Sequence, residues 1–108
     1  MEALVQKNLC KFSMCQGFFR GAMKTIWKYA LESLRPQEIT LRKNAEILSA
    51  QFQNEKLCLW VLLDTGEIEE TYRIHIIGTG FNINVKLDYY IGTVQQDPYV
   101  WHVFAEVL

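Results

Sequence analysis

Two histidines (His75 and His102), three cysteines and two glycine-bearing stretches, "IIGTG" at 76–80 and "YIGTV" at 90–94, are the parts of this 108-residue chain from which chemistry would be built. A glycine pair cradles phosphate when it joins a strand to a helix whose free amides meet the anion. Here Phe81-Asn82-Ile83-Asn84-Val85 follows "GTG", with two β-branched residues, no Lys-Ser/Thr pair and no third spaced glycine. The glycines therefore read as turn chemistry. Gly78 and Gly80 suit positive φ or a bulge at a strand end, and Gly92 suits a bulge or a close backbone approach within a strand.

Neither histidine has a cysteine, aspartate or glutamate at metal-ligand spacing, so no metal and no cofactor is expected. His75 falls on the polar face of an alternating segment and reads as solvated, while His102 stands opposite an apolar face and reads as a rim residue. Asp64, Asp88 and Asp97 sit in turn sequences, where a carboxylate bonds nearby backbone amides. Glu69 and Glu70 point to opposite faces of a regular strand and cannot act as acid and base on one bond. No serine or cysteine lies in a nucleophile-elbow sequence. No catalytic residue is assigned, and the chain is not expected to be an enzyme.

The unusual resource is aromatic: Trp27, Trp60 and Trp101 with Tyr29, Tyr72, Tyr89, Tyr90 and Tyr99. Most such rings belong to a core, but surplus Trp and Tyr on a small scaffold is also the composition of interface hot spots. Trp27, Tyr72, His75, Tyr89, Tyr90, Tyr99 and Trp101 are the expected interaction surface.

These residues need elements to position them, and the periodicity is that of strands. "TIWKYAL" is rich in β-branched and aromatic residues, and Arg35-Pro36-Gln37 breaks the chain before "EITL". "AEILSAQFQ" (45–53) puts Leu48, Ala50 and Phe52 on one face and Ile47, Ser49 and Gln51 on the other, with helix as its competitor. The near-continuous apolar run of "LCLWVLLD" (57–64) suits a central strand buried on both faces, paired in a hairpin with the segment before it. After the turn signal Asp64-Thr65-Gly66-Glu67, Ile68, Tyr72, Ile74 and Ile76 alternate with Glu69, Thr71, Arg73 and His75. "YYIGTV" and "YVWHVFAEV" (99–107) follow, with Trp101, Val103, Ala105 and Val107 on the more apolar face of the latter. The expected fold is all-β: a small antiparallel sandwich or partly closed barrel.

Half of the residues are apolar and 21% are charged, which fits one domain with one core. Residues 1–22 carry a charge of +2 and the remainder −3. The clustered Lys and Arg of a nucleic-acid surface are missing, so no nucleic-acid partner is expected. No apolar run approaches the roughly 18 residues of a membrane helix, so no membrane is expected either. An odd cysteine count, with Cys58 inside an apolar run apart from Cys10 and Cys15, argues for reduced thiols and a cytoplasmic protein.

Residues 1–22 read as an N-terminal extension to a single β-rich domain at 23–108, either a disordered arm or a short helix through Val5, Leu9 and Phe12. Arg20-Gly21-Ala22-Met23 can be encoded by AGG-GGA-GCN-ATG, a purine-rich run placed as a bacterial ribosome-binding site is before its ATG. Met23 is therefore the expected native start.

"MKTIWKY" from Met23, "AEILS" at 45–49, "CLWVLLD" at 58–64, "IIGTG", "YIGTV" and "WHVF" at 101–104 stand in the order of a family of short phage and prophage proteins of unknown function, which residues 23–108 resemble nearly throughout. The resemblance implies a protein acting in a bacterial host cell, and it brings no activity or catalytic residue. Family members often carry histidine after "GTG", where this chain has Phe81, so it implies no polar site at that turn. A small accessory protein that binds a protein partner, perturbing a host enzyme or defence system, is the expected function. The alternative is a small-molecule or nucleotide binder using a barrel mouth or an inter-sheet cleft lined by tryptophans. Self-pairing through exposed strand edges stays open.

Overall fold

The apolar run "LCLWVLL" becomes β5 (Lys56–Asp64), with Leu57, Leu59, Val61 and Leu63 alternating into the core and Cys58 buried on the opposite face. The computed structural model describes residues 4–6 and 23–108. On either side of β5 lie β2 (Lys24–Ala30) and β4 (Glu46–Gln53), and β1 (Leu4–Gln6) adds to the outer edge of β2, giving the order β1-β2-β5-β4. The second sheet has the order β3-β6-β8-β7, from β3 (Gln37–Arg42), β6 (Glu69–Gly78), β8 (Tyr99–Val107) and β7 (Tyr89–Gln96). Every pairing is antiparallel. The sheets stack as a sandwich, not a closed barrel, and segment 45–53 is the strand rather than its helical competitor. Val5 is extended in β1, so the short helix drawn through it does not form there; Leu9 and Phe12 lie outside the described residues.

Between the sheets, Ile39, Leu41, Ile74, Val103 and Ala105 meet the inner residues of β5. Full burial of each large aliphatic side chain contributes about 1.5–3 kcal/mol. Tyr29 of β2 is 1% exposed, and its hydroxyl donates to the Thr40 carbonyl of β3 at 3.1 Å, tying one sheet to the other. Gln37 organises the crossing from β2 to β3. Its buried amide donates to the Ser33 and Arg35 carbonyls at 2.8 and 3.1 Å and accepts from Glu32 N at 3.0 Å.

Turn chemistry sets the register. The β4–β5 hairpin turns on Asn54 and Glu55, both at positive φ (53° and 67°), as a two-residue mirror-image turn requires. Asp64 closes the β5–β6 turn, its carboxylate accepting from Gly66 N at 2.9 Å. Gly80 has φ 88°, as a turn glycine should. Gly92 adjoins a register shift between Tyr90 and Gly92 with open space around it, so the bulge reading holds and the close-approach reading does not.

A second register shift, between Ile47 and Ser49, corrects the face assignment of 45–53. The extra residue flips the parity, so Ile47 joins Ala50 and Phe52 against the core while Leu48 is 44% exposed. Strands β6 and β7 both run antiparallel to β8, hence parallel to each other, and the 79–88 connection must return along the sheet. That return brings Phe81, Ile83 and Val85 beside His75, with which they line a small cleft of about 170 Å³.

Candidate functional site

One end of the sandwich is open. Strands β4 and β7 are the free edges of their sheets on the same side, and both bulges border the gap between them. Bulges bend an edge strand away from flat pairing and re-aim its side chains. A cleft of about 540 Å³ results, lined by Leu41, Ile47, Ile91, Val107, Tyr72, Tyr89 and Tyr90, with Lys43, Glu46 and Glu70 as its charged groups.

Alternation explains how these side chains arrive. Tyr72 and Ile74 face the core from β6, so Glu70, two residues earlier, projects between the sheets at the open end. The Tyr72 hydroxyl donates to Glu70 Oε1 at 3.2 Å. Burial first, then the charge and accepted hydrogen bond of Glu70, push the Tyr72 phenol above its usual range. Tyr89 pairs with buried Ala105 at the start of β7 and faces inward, whereas Tyr90 faces outward and packs on Phe104 with ring centroids 5.4 Å apart and planes tilted by 58°. Tyr89 and Tyr90 stay 57% and 62% exposed, so neither ring is consumed by the core.

The seven residues expected to form one surface fall into separate places. Tyr72 and Tyr89 converge on the cleft, although Tyr72 is mostly buried, while Tyr90 borders it from the outer face of the sheet, its hydroxyl 2.6 Å from that of Thr93. Tyr99 and Trp101 pack on each other at 5.7 Å beside the β7–β8 turn, and Trp101 Nε1 donates to Gln96 Oε1 at 3.0 Å. Trp27 packs against the core from β2. His75 is not solvated: it is 4% exposed, and its Nε2 donates to Glu106 Oε1 at 2.9 Å. Arg73 reaches the same carboxylate at 3.8 Å and Glu38 at 2.9 Å. The returning loop supplies the cover that strand alternation alone does not foresee. His102 is a rim residue as expected, between the hydroxyls of Thr79 (2.7 Å from Nε2) and Thr93 (3.1 Å from Nδ1).

Three cleft residues escaped sequence reasoning as a group: Lys43, Glu46 and Glu70. Glu70 left a usable signal, since it is the one charged residue in the alternating series Ile68, Glu70, Tyr72, Ile74, Ile76. Lys43 and Glu46 flank the β3–β4 turn, and only the stacking of the two sheets brings that turn to the cleft. The expected tryptophan lining is also corrected: the rings in the cleft are tyrosines, because the tryptophans lie at other levels of β2, β5 and β8.

Among the described residues, no group of three or more His, Cys, Asp or Glu side chains gathers to hold a metal, and no helix is long and apolar enough to cross a membrane. What the cleft offers chemically is recognition: apolar walls, exposed phenol rings and a few charges. Comparison with curated proteins and with solved structures returned no match. The profile of a domain of unknown function, DUF7352, matches residues 23–108, which hold every strand from β2 to β8. By that match the chain is a member of the DUF7352 family.

Proposed function

We propose that this domain works by binding, and that it captures a protein partner at the tyrosine-lined end cleft. The observation that carries the reading is the exposed ring of Tyr89 at the mouth of a built concavity between two bulged edge strands, with exposed Tyr90 beside it on the outer rim. Tyrosine brings a large rigid contact area at low entropic cost, and interface hot spots favour it where a pocket lies beside it. The resemblance of residues 23–108 to short phage and prophage proteins supports a bacterial host as the setting, with an accessory protein acting in the cytoplasm on a host enzyme or defence system.

The test is comparative capture from bacterial lysate with immobilised wild-type domain and a Tyr89→Ala/Tyr90→Ala variant. A protein enriched by the wild type and lost from the variant is the expected result. Enrichment that ignores both tyrosines, with the variant folded, refutes the site.

One observation favours a second reading, the binding of a small molecule or nucleotide. The cleft volume of about 540 Å³ is that of a ligand pocket. A metabolite panel read by thermal shift separates the two, since a native-state ligand raises the melting temperature.

A further inference from the structure

The connection between β6 and β7 has the sequence of a strand without being one. Phe81, Ile83, Val85 and Leu87 alternate with Asn82, Asn84, Lys86 and Asp88, the period-2 pattern of an extended chain with one apolar and one polar face. In the structure these residues lie outside every ladder. Phe81 N donates to the Gly78 carbonyl at 3.0 Å and Asp88 N to the Ala105 carbonyl at 3.0 Å, and among the described residues no backbone hydrogen bond involves residues 82–87. Both ends are pinned and the middle is unpaired.

The side chains are correspondingly open. Phe81, Ile83 and Val85 are 66%, 53% and 41% exposed, although they line the small cleft over His75. The connection is also longer than its path. From Gly78, opposite Trp101, to Tyr89, opposite Ala105, the chain advances about 13 Å along β8 and crosses about 10 Å of sheet, whereas residues 79–88 reach about 33 Å when extended. That slack lets 82–87 straighten without disturbing β6 or β7.

An exposed extended chain with free amides is a template for pairing, and the other outer strands carry devices against it. Strands β4 and β7 are bulged, β3 carries Glu38 and Arg42, and β2 is met by β1 and bears Lys24 and Lys28. Residues 81–87 hold one charge, Lys86, whose ammonium lies 3.6 Å from the Asp88 carboxylate, and no proline. The pattern is self-complementary as well. Antiparallel pairing of two copies about Asn84 sets Phe81 against Leu87 and Ile83 against Val85 on one face, with Asn82 against Lys86 and Asn84 against its mate on the other. Apolar meets apolar at every such position, and no like charges meet. A second copy matches this order by symmetry, which an unrelated edge strand does not.

We infer that the chain dimerises through residues 81–87, which pair antiparallel with the same residues of a second copy about a two-fold axis at Asn84. This does not depend on the reading of the tyrosine-lined cleft.

The experiment uses the full chain. Sedimentation velocity with reductant present, from about 10 μM to about 1 mM, should show a monomer–dimer equilibrium, because one strand pair is smaller than a standard interface and binds weakly. Neighbouring amides of a strand point to opposite edges, so either residue 83 or residue 84 turns its amide to the mate. Ile83→Pro/Asn84→Pro therefore removes two hydrogen bonds by symmetry and should weaken the dimer roughly tenfold or more. At the axis the two Cα atoms of residue 84 come within about 4.5–5.5 Å, which a disulfide spans. Asn84→Cys under mild oxidation should thus join position 84 of both copies, as mass spectrometry of the linked peptides reports, faster than Lys56→Cys, exposed at the β4–β5 hairpin, joins its own.

A monomer at every concentration overturns the inference. So does a dimer that survives the proline pair, or one in which Asn84→Cys links no faster than Lys56→Cys, since either result puts the contact on another surface. The cross-linking comparison needs no proline and decides even where the double variant unfolds.

Discussion

Replacing Tyr29 with phenylalanine should change the stability of the domain by an amount whose sign reverses with pH. At neutral pH the variant loses the hydroxyl bond to the Thr40 carbonyl across the sheets, a cost of about 1 kcal/mol. The phenol is pushed up to about 12 in the folded protein, chiefly by burial, with Arg42 lowering it and Glu69 raising it. In the unfolded chain it titrates near its ordinary value of 10.0. A folded value above the unfolded one means that the tyrosine's contribution is whole below pH 10 and is lost as pH climbs toward 12. At about 1.4 kcal/mol per unit, the two units remove roughly 2–3 kcal/mol when complete, and about 2 kcal/mol by pH 12.

The wild type should therefore lead Tyr29→Phe by about 1 kcal/mol at neutral pH, draw level at roughly pH 10.5 to 11, and trail by about 1 kcal/mol near pH 12. Urea unfolding followed by tryptophan fluorescence, with reductant present, measures both proteins across this range. Every other tyrosine and lysine is shared, so the difference curve isolates Tyr29. Parallel stability curves from neutral to alkaline pH would refute the reasoning, because they would mean that the phenol ionises alike in the folded and unfolded chains.

Glu70→Gln should lower the ionisation range of Tyr72 toward ordinary phenols without reaching it, since burial remains the larger cause; carbon-13 labelling of the tyrosine rings reports this, and an unmoved titration would count against the Tyr72–Glu70 contact. His75→Ala should cost about 1–3 kcal/mol by removing the donor to half-buried Glu106, whereas His102→Ala, whose hydroxyl partners can turn to water, should stay within about 0.5 kcal/mol. Equal losses in denaturant melts would show that burial does not distinguish the two histidines. Leu59→Ala, at a fully buried position in β5, should lose about 2–5 kcal/mol in the same melts, and a loss under 1 kcal/mol would mean the core is not where the sandwich puts it. Gly80→Ala should cost about 1–2 kcal/mol from backbone strain alone, because φ is 88° and the added methyl meets nothing within 4 Å; a neutral result would remove the turn assignment.

Much of the fold was legible because a strand's side-chain period is local. The run at 57–64 announced a central strand, the alternation after Gly66 announced β6, and the residues after Gly80 announced that no helix follows the turn. Where local pattern failed, an inserted residue or a distant segment was responsible. Leu48 was assigned to the wrong face because the Ile47/Ser49 bulge shifts parity by one, and nothing in "EILSAQFQ" marks where the extra residue goes.

By itself the sequence determined the all-β class, most of the strands, and a set of aromatic residues too large to ignore, since propensity, alternation and turn residues act over a few positions along the chain. Only the tertiary structure decided which aromatics meet. It set the two bulged edges side by side, turned Glu70 into the mouth they form, and folded the 79–88 return over His75. Those outcomes depend on strand order and sheet stacking, and strand order is a competition among pairings remote in sequence that no local pattern records.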